Sequence, residues 1–236
     1  MKRRRLGQHY LKDPAVVRKM ISLANISASD RVLEIGTGKG VLTRELAGLG
    51  AEFDGYEVDE ENLAETREAV RGTTARLHLA DAFAQETGFD VLVSSLPYSE
   101  SSRFIVWLGG IAFRRAVVLL QDDFVRKILA PPGDRDYRGV SALAQLAFDV
   151  NVVERVKREA FAPQPKVGSV IVQLSPKQLV TKSEASNILR LFSLRRRRVS
   201  AALGKLGMAW KGGQGARRVN TLTPAEVHEI CGPRAP

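Results

Sequence analysis

The sequence contains one cysteine, Cys231, and three histidines, His9, His78 and His228, far apart along 236 residues. A lone thiol closes no internal disulfide, and one cysteine with three scattered histidines does not supply the repeated ligand pairs of a zinc site, so no metal is expected. The scattered histidines leave no centre of the kind that imidazole-based nucleophilic or general-base catalysis requires. No run approaches the roughly 20 apolar residues that cross a bilayer, so no membrane association is expected. The start of the chain, "MKRRRLGQHYLKD", has no apolar stretch behind its charges and does not read as a secretory signal. Together these absences describe a soluble protein of a reducing, cytoplasmic compartment.

Acidic residues are missing from two stretches. Residues 1–12 carry a net charge of +5, residues 181–236 carry +8, and the 168 residues between them sum to −3 within a total of +10. From Ala185 to Ala225 there are nine Lys or Arg and no Asp or Glu. Basic ends on a near-neutral body suggest a polyanion held at one surface. The candidate phosphate contacts are Arg3, Arg4 and Arg5 at one end, and Arg195, Arg196, Arg197, Arg198, Lys205, Lys211, Arg217 and Arg218 at the other.

Between those ends, apolar runs alternate with amphipathic segments. "RVLEIG" (31–36), "AEFDGYEV" (51–58), "ARLHLA" (75–80), "FDVLVS" (89–94) and "RAVVLLQ" (115–121) read as strands. Helical patterns near 41–49, 59–71, 100–108, 122–129 and 140–148 separate or follow them. Such alternation predicts an α/β fold with a mostly parallel sheet covered by helices. After Asp149, "VNVVERVKREAF" and "VGSVIVQL" leave little room for a helix and predict an antiparallel pair closing the sheet. "APPGDRDYRG" (130–139) reads as an exposed loop. The predicted organisation is a catalytic domain over 1–175, with 1–30 as a basic, helical lead-in, followed by a small basic helical domain over 176–236.

"VLEIGTGKG" places Gly36, Gly38 and Gly40 between the first strand of this series and a helix. Glycines there let the backbone approach a ligand at the carboxyl end of the sheet, where open α/β sheets bind. Glu57 follows about twenty residues on, where a carboxylate grips ribose hydroxyls. Both a dinucleotide and S-adenosylmethionine use such a turn. Positions 41 and 42 are Val and Leu, so the third glycine of the dinucleotide fingerprint is missing. Glu34 is a poor neighbour for a pyrophosphate and a good one for a cationic methionine moiety, and Asp81 in "ADAF" is placed to accept from an adenine amino group. These features favour S-adenosylmethionine.

The fourth of these strands ends abruptly in "SSLPYSE" (94–100). An exocyclic amino group of a base is a weak nucleophile because its lone pair is delocalised. Acceptors at Ser95 and Leu96 would favour its pyramidal form, Pro97 stiffens the turn and removes a competing N–H, and Tyr98 offers a flat face to an extruded base. "FAPQPKVGS" (161–169) brings a second rigid aromatic corner, Phe161. No shifted general base is needed, since methyl transfer from a sulfonium rests on the leaving group and in-line positioning.

These motifs together resemble the ribosomal RNA adenine dimethyltransferases, a family that also includes the erythromycin-resistance methylases. "LGQHYLKD" (6–13) is similar to its N-terminal box, "VLEIGTGKGVLT" to its glycine-rich motif, and "YEVD" to its ribose-binding acid. "ADAF" is similar to its adenine contact, "SLPY" to its catalytic turn and "FAPQPKVGS" to its F-x-P-x-P-x-V motif; "LFSLRRRRVSAAL" and "RVNTLTPAEVHEI" resemble its C-terminal helical region. The resemblance implies a Rossmann-like class I methyltransferase with a seven-stranded sheet. It implies S-adenosylmethionine held by Gln8, Leu11, Glu34, Gly36, Gly38, Glu57 and Asp81, with His9, Thr37, Val58, Ala82 and Ser95 beside them. It also implies a target adenine held by Ser95, Leu96, Pro97, Tyr98 and Phe161, and N6,N6-dimethylation of two adjacent adenines near the 3′ end of small-subunit ribosomal RNA. The expected partner is a pre-ribosomal particle, bound by a monomer. Ser95 stands where the family has Asn, and Tyr10 where it has Phe. Large-subunit methylation and a catalytically silent nucleic-acid-binding factor are the alternatives.

Overall fold

The structure is a computed structural model that describes residues 9–85, 87–208, 212–213 and 215–233. Arg3, Arg4, Arg5, Gln8 and Lys211 lie outside those residues. The elements in chain order are β1 (Tyr10–Leu11), α1 (Pro14–Ala24), β2 (Arg31–Ile35), α2 (Val41–Ala47), β3 (Glu52–Glu57), α3 (Glu60–Ala69), β4 (Arg76–Leu79), β5 (Val91–Ser95) and α4 (Ser101–Leu108). They continue with β6 (Arg115–Gln121), α5 (Asp122–Leu129), α6 (Gly139–Ala147), β7 (Phe148–Val156), β8 (Phe161–Ala162), β9 (Ser169–Pro176), α7 (Lys182–Ser193), α8 (Val199–Leu206) and α9 (Pro224–Cys231).

Seven strands form one sheet in the order β4-β3-β2-β5-β6-β9-β7, while β1 and β8 pair separately. The pairs β3–β4, β2–β3, β2–β5 and β5–β6 are parallel, and β9 runs antiparallel to β6. The mostly parallel, seven-stranded α/β sheet expected from the sequence is therefore present. Its middle strands are buried on both faces: the interior of "RAVVLLQ" in β6 and the first four residues of β5 are inaccessible to solvent, which is why they read as continuous apolar runs rather than alternating ones. β4, at an edge, carries charge instead. Arg76 bridges Glu52 and Asp54, and His78 bonds Asp54 at 2.7 Å and stacks on Tyr56 at 4.5 Å, so its side chains discourage a further strand from adding.

Local chemistry sets the helix starts. Asp13 caps α1 by accepting from Ala15 N at 2.8 Å, with Pro14 at the first helical position, where its missing N–H costs nothing. Asp59, read from the sequence as the first helical residue, is instead the cap of α3, accepting from Asn62 N at 3.0 Å.

The chain divides into two compact units. The first comprises residues 1–101, 112–122 and 151–175; the second comprises 102–111, 123–150 and 176–236. The second unit is thus larger than the 176–236 segment delimited by composition, because α6 packs on α7 and α9. The 130–139 segment is exposed at residues 131 and 133–136, as expected of a loop, but not throughout. Tyr137 within it is fully buried, donates its hydroxyl to Leu222 O at 3.0 Å and meets Phe192 edge-on at 5.4 Å. Turn-forming neighbours mark where a chain bends, but they do not decide where an aromatic ring among them goes.

Gly55, in β3, faces a tight spot: a Cβ there would lie 2.8 Å from Leu77 Cδ2 and 2.9 Å from Thr37 Cγ2. Gly55→Ala is expected to destabilise the protein by about 1–3 kcal/mol through overpacking, read as a lower midpoint in chemical denaturation. An unchanged midpoint would show that Leu77 and Thr37 yield freely.

Candidate active site

The strand order reverses between β2 and β5: β3 and β4 lie to one side, β6 onward to the other. Open sheets bind ligands in the crevice at such a switch point. Here β2 and β3 are in register over five residue pairs and β5 and β6 over five, but β2 and β5 over only two, Val32↔Val91 and Leu33↔Leu92. Past Leu92 the two strands carry their exits without a shared ladder. Ser94 spans that region, donating its hydroxyl to Ile35 O at 2.6 Å. A serine following three buried apolar residues is the sequence signal for this tie.

The glycine turn leaves β2 and wraps around Glu57. Gly38 adopts φ +56 and its N–H reaches Glu57 Oε2 at 2.9 Å, while Glu57 Oε1 accepts from Val58 N at 2.8 Å and Asp59 N at 3.0 Å. A Cβ on Gly38 would meet Tyr10 Cδ1 at 3.1 Å. The buried Thr37 hydroxyl lies 3.2 Å from that of Thr66. Next to Glu57, Val58 is 70% exposed, an apolar platform beside a fixed carboxylate. Asp81 accepts from Phe83 N at 3.0 Å, capping the short turn of residues 82–84; Ala82 is buried behind it.

Beneath the turn lies a small cavity of about 40 Å³ lined by His9, Tyr10, Leu11, Glu34, Gly36, Thr37, Gly38, Lys39, Val41, Leu42 and Ser95. Leu11 is also part of the core, whereas Tyr10, Lys39, Val41 and Leu42 are lining residues outside the expected cofactor set. Glu34 is only 1% exposed and its Oε2 has no hydrogen-bond partner. Burial pushes its carboxyl up to about 8, the nearby Thr43 hydroxyl offsets part of this, and the Glu57 charge adds to it. A cation or a donor placed beside this buried carboxyl favours its ionised form, and that form repels an anion. The site therefore suits an ammonium or sulfonium group and not a pyrophosphate.

The "SLPY" turn stands against this cavity. Ser95 ends β5 and lines the cavity, and Leu96 is buried. A Cβ on Gly36 would sit 3.5 Å from Pro97 Cδ, so the two turns share a wall. Tyr98 is half-buried, its hydroxyl 2.6 Å from Ser169 Oγ and its ring 5.5 Å from that of His9 at a 35° tilt. His9 is itself tied through Nδ1 to Pro163 O at 2.7 Å.

Phe161 is 2% exposed, pairs with Leu11 across β1–β8 and packs in the core. The ring nearest Tyr98 at this turn is that of His9.

In the second unit, Ser193, Leu194, Arg195, Arg196 and Arg197 line an open cavity of about 410 Å³. Burial lowers the Arg195 pKa, and the charges of Arg138 and Arg196 lower it further, a mark of concentrated positive potential. Arg196, Arg197, Arg198, Lys205 and Arg218 are exposed. Arg217 is exposed too, but it bonds Glu226 at 2.7 Å and also Thr221; its charge is partly spent within the fold. Cys231 is buried, its thiol pushed up to about 12 by burial and the Glu184 charge, which makes it unreactive.

A family profile described as ribosomal RNA adenine dimethylase matches residues 1–228. The chain belongs to the ribosomal RNA adenine dimethylase family. It is 36% identical over 240 residues to a protein of Pyrococcus abyssi named probable ribosomal RNA small subunit methyltransferase A, covering 96% of this chain and 89% of that one. The crystal structure of a dimethyladenosine transferase from Plasmodium falciparum superposes with a TM-score of 0.76 at 28% identity, covering 94% of this chain and 96% of that one. That of the 23S rRNA methyltransferase ErmE does so with a TM-score of 0.65 at 25% identity, covering 94% and 97%. In this dimethylase the Tyr10 hydroxyl, one of its departures, donates to Asn62 Oδ1 at 3.2 Å, anchoring the ring that faces Gly38.

Glu34 yields a paired expectation. Its folded pKa of about 8 lies above the ordinary glutamate value of 4.5, so between those pH values the folded state keeps a proton that the unfolded state has lost, and stability falls as pH rises through that window. Glu34→Gln is expected to raise the melting temperature of the ligand-free protein at pH 8 while weakening S-adenosylmethionine binding about 10- to 100-fold. Wild-type affinity should climb from pH 6 to 8 as the carboxyl ionises. Calorimetry at both pH values checks this; equal affinity for the two proteins would remove Glu34 from the site.

Proposed function

We propose that the protein uses S-adenosylmethionine to dimethylate N6 of two adjacent adenines near the 3′ end of small-subunit ribosomal RNA. It acts as a monomer on a pre-ribosomal particle in the cytoplasm. The observation that carries this reading is the shared wall between the Glu34 cavity and the Ser95–Tyr98 turn at the switch point. Family membership and the cationic preference of the cavity support it.

Glu34, Gly36, Thr37, Gly38, Glu57 and Asp81 would hold the cofactor, with Val58 beneath its adenine and His9, Leu11, Ala82 and Ser95 alongside. Gln8 and its neighbours belong to the same expectation. The cofactor, when bound, supplies a methyl group on a positively charged sulfur. The residues of the chain do the rest. Glu34 neutralises the cationic end, and Glu57, fixed by three backbone N–H groups, is pre-set for ribose hydroxyls. Ser95, with the carbonyl of Leu96 just past the last paired residue of β5, accepts from the adenine amino group and raises its nucleophilicity. Pro97 contributes no competing N–H, and Tyr98 stacks on the base. Ser95 is shorter than the Asn it replaces, so its hydroxyl supplies one acceptor to the amino group without the reach of a carboxamide.

The basic face of the second unit, with Arg195, Arg196, Arg197, Arg198, Lys205 and Arg218, tracks the RNA backbone. Among the described residues no helix is long and apolar enough to cross a membrane, and no cluster of His, Cys, Asp and Glu offers a metal site.

Incubation of the protein with labelled S-adenosylmethionine and either under-methylated small subunits or large-subunit RNA, followed by mapping of dimethyladenosine, tests the proposal. Label in the small-subunit RNA is expected. Label in the large-subunit RNA would favour the resistance-type reaction, and cofactor binding without transfer would favour a silent binding factor. Tyr98→Ala should lower transfer more than about 100-fold, consistent with the loss of a base-stacking contact worth roughly 1–3 kcal/mol together with misorientation, while leaving cofactor affinity within about threefold. Converting Arg196, Arg197 and Arg198 to Gln should flatten the salt dependence of RNA binding by about two logarithmic units of slope, at roughly 0.7 per phosphate contact. An unchanged slope would assign those arginines elsewhere.

A further inference from the structure

Ser169 opens β9, pairs with Gln121 at the end of β6 and is 1% exposed. The backbone on either side is fixed: Asp122 N donates to Gly168 O at 3.0 Å, and the ladder continues from Val170 to Leu174. A buried serine hydroxyl needs a partner, and a backbone carbonyl on its own element would meet that need. Ser169 instead reaches out of the sheet to the Tyr98 hydroxyl at 2.6 Å, 71 residues away in sequence. Tyr98 sits three residues beyond β5, which is separated from β9 by β6. One hydrogen bond thus ties the tip of the ring to a strand two positions across the sheet.

The geometry of a phenol makes this bond informative. The oxygen lies on the axis from Cβ through the ring, so holding it fixes the direction in which the ring points. Rotation about that axis remains, and His9, 5.5 Å from the ring centre, limits it. Burial raises the Tyr98 pKa, with the Ser169 bond drawing it partly back, so at neutral pH the phenol keeps the proton that lets it act as donor or acceptor.

We propose that Ser169 is a positioning residue for base methylation: it holds the Tyr98 ring in the plane on which the target adenine stacks. Its role is exerted through Tyr98 and rests on the function proposed above. A ring left free to swing would still bind RNA but would present the amino group in line for transfer less often.

The test compares wild type with Ser169→Ala, Ser169→Thr, Tyr98→Phe and the Ser169→Ala/Tyr98→Phe double variant. Each is assayed for kcat and KM with under-methylated small subunits, for S-adenosylmethionine affinity, and for quenching of 2-aminopurine placed at the target position of an RNA fragment. Ser169→Ala and Tyr98→Phe each remove the bond but keep the ring. Each should lower kcat about 5- to 20-fold, the span of one hydrogen bond of roughly 1–1.5 kcal/mol and modest misalignment. KM and cofactor affinity should stay within about twofold, and quenching should fall in parallel. The double variant should be no worse than the more affected single one, because both remove the same interaction. Ser169→Thr, which keeps the hydroxyl, should recover most of kcat.

A loss of melting temperature with kcat and quenching unchanged would make Ser169 a structural residue and overturn the inference. So would effects that add in the double variant. If the wild type neither transfers methyl groups nor quenches, the proposed function fails and this role fails with it; if it does both beside an unaltered Ser169→Ala protein, only the present inference fails.

Discussion

The cleft depends on how briefly β2 and β5 are paired. Two residue pairs join them, against five on either flank, so the sheet is continuous at its base and divided at its carboxyl edge. Every candidate group inherits its position from that division. The turn after β2 carries the glycines, the end of β3 carries Glu57 and Val58, and the turn after β5 carries Ser95 to Tyr98. The Ser94 hydroxyl on Ile35 O limits how far the two exits separate. A longer ladder would close the crevice, and without the serine tie its width would be set by packing alone.

Within this frame the electrostatics select the ligand. Glu34 and Glu57 place two carboxylates on one side of the glycine turn. Burying one of them without a partner is a cost that the fold carries, and its location in a ligand cavity identifies which kind of charge relieves it. The backbone donors of the turn point inward: Gly36 N and Thr37 N bond Tyr56 O at 2.7 and 3.3 Å, and Gly38 N bonds Glu57. A phosphate would find few of the amides that dinucleotide folds offer.

Much of this was legible in the sequence. The strands and helices of the α/β layer follow from apolar periodicity, and the boundaries of β6 and α5 coincide with those read directly. The glycine turn, Glu57 and the Ser-Leu-Pro-Tyr turn were identified because such residue types rarely serve ordinary packing at the ends of strands. What escaped was long-range within the chain. Ser169, Ser94 and Asn62 are common residues whose significance lies in partners 71, 59 and 52 positions away, and no local pattern announces such pairings. Phe161 was read from its prolines as part of a rigid corner, and its depth in the core follows from a different rule, that a large apolar ring goes where it buries most area. The second compact unit also takes in α6, because composition sees charge and not the packing of α6 on α7 and α9.

The space beside Gly36 is bounded by Pro97, whose Cδ would lie 3.5 Å from a Cβ added there. A side chain longer than a methyl at position 36 would meet the Ser-Leu-Pro-Tyr turn. The shape of the cofactor side of the cleft and that of the base side are therefore set together, through one glycine that leaves room for one proline ring.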